Sequence, residues 1–352
     1  MIKYIAAQFR EEYHHLNLFL IRFCLAAAFY ICVTLSSQTS VLAGIILVVG
    51  YRSFLALSPY INKLFHKRDL LFSIILAIVG VLCYFVLELY IFGALLIAFG
   101  LSVGGFILKA IAAETPSMSG INKIAITSGN IGAGGVLFLT NNNNIKSFSI
   151  LLLFLVVACF LKMPGSNDRS VIKPLTIKTL VQNKLSNLVW FLLGMAIGIR
   201  VFGMYIIMPN YLIRTLGFIP DWYGLTLILY GFIVILTQLP AIGKKVSFSL
   251  TTSIIALGFS CFIMGTPNIF CVETFIGAML WCFCLAVEEI FAPFIDFHAA
   301  RANHLLVKEI SIGIGGAICF LSTLTNLATE ALSAISIVFI TIGYLIYRKN
   351  KN

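Results

Sequence analysis

Two arginines, Arg52 and Arg200, stand in the middle of long apolar runs with no charged residue within four positions of either. Counting 1.5 Å per residue puts each roughly 15 Å from the nearer end of its run. An ionisable group at that depth costs about 2.5 to 3.5 kcal/mol on insertion scales and marks a pathway or a pair. For Arg52 two readings stand side by side: contact with a substrate or counter-ion, or a structural pair with a backbone carbonyl or Glu288. For Arg200 the cavity reading is preferred, because Tyr205 and Asn210 follow it on the same run and add polar edges. Glu288 and Glu289 lie within about 8 Å of a run's end, with Asp296 beyond. Burial raises a carboxyl pKa, so Glu288 is a candidate proton carrier; the alternative is an ion pair with Arg301 or Lys308. Arg22 and Lys109 lie nearer the ends of their runs and are expected to snorkel to the interface. Two mid-depth cations against no mid-depth carboxylate predict a positive cavity suited to an anionic or polycarboxylate substrate.

Other chemistry is sparse. No GxxxxGK[ST] loop is present, so ATP is not the direct energy source. His14 with His15, and the set Asp296, His298 and His304, have irregular spacing and fall at the ends of apolar runs, where a solvated role is expected rather than a metal site. The nine cysteines lie almost entirely inside apolar runs, form no CxxC pair, and are expected to be packing residues. His, Asp and Ser groups do not converge at one depth as an intramembrane enzyme would need, so the chain is expected not to be an enzyme. No cofactor and no metal are expected.

The elements that must position these residues follow from composition. Hydrophobic residues make up 60% and charged residues 11% of the 352, and mean hydropathy is +1.03; soluble domains run at roughly 45–50% and about 25%. The net charge of +11 sits in short clusters between apolar runs, which points to loops on one side of a membrane rather than to nucleic acid. At about 20 residues per span, helices are predicted over 17–36, 41–60, 70–88, 91–112, 124–140 and 147–163. Six more are predicted over 187–208, 222–242, 249–266, 270–293, 309–328 and 332–347. The long polar break from Pro164 splits the chain into an N-terminal six-helix half (1–163), a cytoplasmic central loop (164–186) and a C-terminal six-helix half (187–352). Of the 24 Lys and Arg, 18 fall at the termini and in the loops on their side, and only Lys146 and Arg214 on the other. The positive-inside rule then places both termini in the cytoplasm. The first 17 residues carry charges and no cleavage site follows the first run, so no cleaved signal peptide is expected.

Several motifs carry a family resemblance. Val49-Gly50-Tyr51-Arg52-Ser53-Phe54, followed by Lys67-Arg68-Asp69-Leu70-Leu71, resembles the second helix and the basic two-three loop of bacterial major facilitator drug-efflux proteins. Ser128-Gly129-Asn130-Ile131-Gly132-Ala133-Gly134-Gly135 is similar to the family's helix-five motif, in which closely spaced glycines let two backbones approach. Met208-Pro209-Asn210-Tyr211-Leu212 resembles the end of helix seven, Gln238-Leu239-Pro240 the end of helix eight, and Glu288 followed by Pro293 the helix-ten pattern. The chain departs from that pattern at Lys63, where the loop normally carries an aspartate, at His66, which replaces a glycine, and after Gly135, where the proline is missing.

The resemblance implies an all-α polytopic membrane protein of two six-helix bundles and twelve transmembrane helices, both termini inside. The two halves would rock about a central site, with Lys63, Lys67 and Arg68 at an inner gate and Asn130, Gly132, Gly134 and Gly135 as a packing motif. The expected function is proton-coupled export of a small amphipathic or anionic molecule, a metabolite, drug or siderophore. Import of a small anionic nutrient and a non-transporting scaffold are the alternatives. Arg52, Arg200, Tyr205, Glu288 and Glu289 are the expected binding or coupling residues. The expected partners are a small-molecule substrate and the lipid bilayer, not nucleic acid; the expected unit is a monomer in a bacterial inner membrane.

Overall fold

Apolar runs of this length can only satisfy their backbone groups in lipid as helices, and the computed structural model is built accordingly. It describes residues 2–61, 69–112, 116–141, 143–161, 184–238, 249–289, 291, 294–295, 298–299, 304–325 and 329–351. Among the described residues there are 13 helices and no strand. The first six are α1 (Ile2–Thr39), α2 (Val41–Ile61), α3 (Asp69–Phe85), α4 (Tyr90–Ala112), α5 (Pro116–Leu139) and α6 (Asn144–Phe160). The remainder are α7 (Lys184–Leu216), α8 (Tyr223–Gln238), α9 (Leu250–Met264), α10 (Pro267–Phe270), α11 (Phe275–Glu288), α12 (Leu305–Thr325) and α13 (Thr329–Lys351).

Twelve of these match the expected spans; α10 is a single turn. The expected helix over 270–293 is divided, because Cys271 takes a left-handed φ of 50° after α10 and ends it. The expected helix over 187–208 instead runs to Leu216 with Pro209 inside it. Proline removes a backbone donor, and beside it Asn210 donates its side-chain amide to the Ile206 carbonyl at 2.6 Å.

Five described stretches are long and apolar enough to cross a membrane, and seven shorter helices are apolar. Exposed apolar stripes mark the outer wall: Phe72, Ile75, Val79 and Leu82 on α3, Ile255, Phe259 and Phe262 on α9, and Val338, Ile342 and Leu345 on α13. Such stripes at helical spacing suit lipid rather than water. The protein is a multi-pass membrane protein.

Two seams, α2 on α12 and α5 on α8, join the first six helices to the later ones. Along the α2–α12 seam Gly44 meets Phe320, Val48 meets Gly316, and Val49 meets Gly313. Along the α5–α8 seam the helices touch backbone to backbone: a Cβ on Gly134 would lie 2.7 Å from the Gly224 carbonyl oxygen. The sequence motif here divides in two. Gly132 packs on Phe23 of α1 and Gly134 on α8, whereas Gly135 faces open space.

Candidate functional site

Arg52 stands at the last glycine contact of the α2–α12 seam, where a Cβ on Gly313 would lie 3.1 Å from its own Cβ, and its side chain reaches across the seam. Its Nη1 donates to Glu309 Oε2 of α12 at 2.9 Å, and Lys308 Nζ holds the other oxygen of the same carboxylate at 3.2 Å. One carboxylate is thus shared by two cations. Lys308 is buried, while Arg52 and Glu309 keep side-chain exposures of 19% and 16%. The Arg52 Nε is buried with no hydrogen-bond partner. Its guanidinium carbon sits 6.0 Å from the Tyr51 ring centroid and 5.8 Å from that of Phe202, within cation–π range.

Arg200 is surrounded more completely. It donates from Nε to Ser260 Oγ at 3.0 Å, from Nη2 to the Leu285 carbonyl, and from Nη1 to Glu289 Oε1. The same carboxylate oxygen accepts from the Tyr230 hydroxyl at 3.0 Å, and the Tyr230 ring lies 5.9 Å from the Arg200 guanidinium. Glu289 follows the last residue of α11, so the pair ties α7 to the end of α11, within the later helices.

An aromatic shelf connects the two regions. Phe29 stacks on Tyr51 with centroids 4.0 Å apart and meets Phe202 edge-on at 6.3 Å; Tyr30 stacks on Tyr205 at 4.8 Å. Tyr205 is therefore a wall of the interior, while Asn210 spends its amide on its own helix.

The sequence reading set two mid-depth cations against no carboxylate, and this is corrected: each arginine has a carboxylate partner. Glu309 went unnoticed because its helix was expected to begin there; α12 begins four residues earlier, which carries Glu309 into the interior. The same early start of α12 carries Lys308, expected in a loop, into the interior, where it is buried. Arg22 does not snorkel as expected, being 5% exposed.

Lys63, Lys67, Arg68, His66, Asp296 and Arg301 lie outside the described residues, as do the side chains of His14, His15, Lys109 and Glu288. Asn130 is buried with its Oδ1 unpartnered. His304 Nε2 pairs with Ser186 Oγ at 2.8 Å, and burial lowers its pKa below the ordinary histidine value. Among the described residues no group of three metal-ligating side chains forms.

No protein-family model matches the chain, and no curated protein matches it in sequence. Solved structures do. A structure described for substrate recognition in proton dependent oligopeptide transporters superposes with a TM-score of 0.68 at 13% identity, covering 96% of this chain and 98% of that one. A bacterial homologue of the human drug peptide transporters PepT1 and PepT2 gives 0.66 at 12%, covering 97% and 99%. The human organic anion transporter MFSD10 gives 0.61 at 12%, covering 96% and 99%. At these identities the likeness is one of fold: this chain has the major facilitator fold, as its motifs implied.

Proposed function

We propose that the protein is a secondary active transporter, a proton-coupled exporter of a small amphipathic or anionic molecule in a bacterial inner membrane, working as a monomer. Residues 1–163 and 187–352 are the two halves, joined by a cytoplasmic loop over 164–186, and both termini are cytoplasmic. The observation that carries the reading is the Arg52–Glu309–Lys308 cluster on the α2–α12 seam. An ion pair spanning two bodies that rock apart must break and re-form, and a carboxylate already shared by two cations exchanges one partner without being stranded. Glu309, rather than Glu288 alone, becomes the carboxylate whose protonation accompanies the switch. Major facilitator transporters among the structural neighbours, including an oligopeptide and an organic anion transporter, support a small organic cargo.

The test is flux in proteoliposomes with an imposed pH gradient, screening anionic, zwitterionic and cationic cargoes. Gradient-driven flux lost in Arg52→Ala and uncoupled from pH in Glu309→Gln is the expected result. Cargo movement that ignores the gradient in the wild type would remove proton coupling, and the absence of flux for every class would remove the transporter reading.

A further inference from the structure

The α2–α12 seam loses its cover at Arg52. Val48 on one side of it and Ile312, Gly313 and Gly316 on the other are buried, whereas the side chains of Arg52 and Glu309 keep exposures of 19% and 16%. Beside Arg52 on α2, Tyr51, Ser53 and Leu55 are also only half-buried. The guanidinium therefore borders open space as well as its carboxylate.

The members of the cluster fare unequally when α2 and α12 part. Glu309 and Lys308 are neighbours on α12 and move together, so the carboxylate keeps a cation at 3.2 Å. Arg52 belongs to α2, and among the described residues Glu309 is its one acceptor. Its Nε is buried and unpartnered even while the seam is closed. Arginine does not shed its proton. Parting of the seam thus leaves a half-buried guanidinium whose donors receive nothing in exchange for lost water, which is costly.

We infer that the transported molecule supplies the missing acceptor: its anionic group, a carboxylate or phosphate, replaces Glu309 on Arg52 while Glu309 turns wholly to Lys308. The inference rests on the transporter reading and deepens it, because opening of this seam is then tied to the arrival of an anion. Neutral and cationic molecules of the same shape leave Arg52 on Glu309. A guanidinium presents paired donors to carboxylate and phosphate alike, and the unpartnered Nε gives Arg52 a donor ready for such a pair. Glu309 is the built-in competitor of the cargo, and Lys308 is the residue that draws it away.

The experiment is calorimetric titration of the full chain in detergent with butyrate, butyl phosphate, the neutral butyramide and the cationic butylamine. Binding of one or both anions and of neither other probe is expected. Arg52→Gln weakens that binding by about tenfold or more, as for loss of a charged hydrogen bond, and Arg52→Lys retains part of it. The two α12 variants move affinity in opposite directions. Glu309→Gln, which removes the competitor, tightens anion binding, a gain that misfolding cannot imitate. Lys308→Gln, which leaves Glu309 to Arg52 alone, weakens it. Weaker binding in Glu309→Gln overturns the inference, as do equal binding of butyramide, unchanged affinity in Arg52→Gln, or no binding by either anion. So does stabilisation of the wild type, but not of Arg52→Gln, by added phosphatidylglycerol alone, since the residue would then hold a lipid head group.

Flux in proteoliposomes separates this inference from its premise. Gradient-driven flux of butyramide or butylamine as fast as that of butyrate sinks the exchange and leaves the transporter. The opposite-signed binding changes with no flux of any bound anion keep the anion site and sink the transporter.

Discussion

Arg200 and Arg52 are both mid-helix arginines in apolar runs, yet the molecule treats them differently. Arg200 is 3% exposed, and its three kinds of donor are taken up by Ser260, the Leu285 carbonyl and Glu289, with Tyr230 closing the far side. Arg52 holds one oxygen of a carboxylate that Lys308 also holds, and its Nε is left over. The first pair joins α7 to the end of α11 on one side of the seams; the second crosses from α2 to α12. Saturated pairs within one body fix geometry, and under-satisfied pairs between bodies can change partners.

If that contrast holds, Arg200→Ala is the most damaging single change. It removes the buried cation from Glu289, which keeps the Tyr230 hydroxyl, and takes a donor from Ser260 Oγ and from the Leu285 carbonyl, an expected loss of about 3–5 kcal/mol, read as a fall in melting temperature and monodispersity in detergent. A variant that remains as stable as wild type would break the comparison. Arg52→Ala should cost folding less, about 1–3 kcal/mol, because Glu309 keeps Lys308, while flux falls far more than stability does. Measuring both quantities on one preparation sharpens the distinction; a proportionate loss of each would erase it.

The α5–α8 seam offers a third region with no charge at all. Gly224→Ala places a methyl group against the backbone of Gly134 and Phe138, which cannot yield as a side chain can, and overpacking of this kind costs about 1–3 kcal/mol. The expected outcome is a shift toward the conformer in which this end is open, seen as faster thiol labelling of a cysteine introduced there. Unchanged labelling would mean that the seam does not part at these glycines.

The smallest effect is expected at His304. Burial lowers its pKa, so the unfolded chain takes up its proton first as pH falls. Its stabilising contribution is fully present above the ordinary histidine value and declines as pH drops below it. Denaturation of wild type and His304→Gln across pH 5 to 8 should show a shallower pH slope in the variant.

Composition and the spacing of apolar runs determined that this chain lies in a membrane and where most of its helices run, because hydropathy at span length is a local property. Of the Asn130–Gly135 motif, Gly134 meets the backbone of α8, while Gly132 packs on Phe23 and Gly135 faces open space, so small-residue spacing marked a close approach without telling which residue makes it. The same local reading saw both arginines as unbalanced. The partner of Arg52 is 257 positions away and that of Arg200 is 89; only the packing of α2 on α12 and of α7 against the end of α11 brings them together. The tertiary structure therefore decided which cations meet a carboxylate: Arg200 pairs with Glu289, and Arg52 shares Glu309 with Lys308. Charge balance at a buried site depends on distance in space, and one-dimensional spacing carries that information only within a few turns of a single helix.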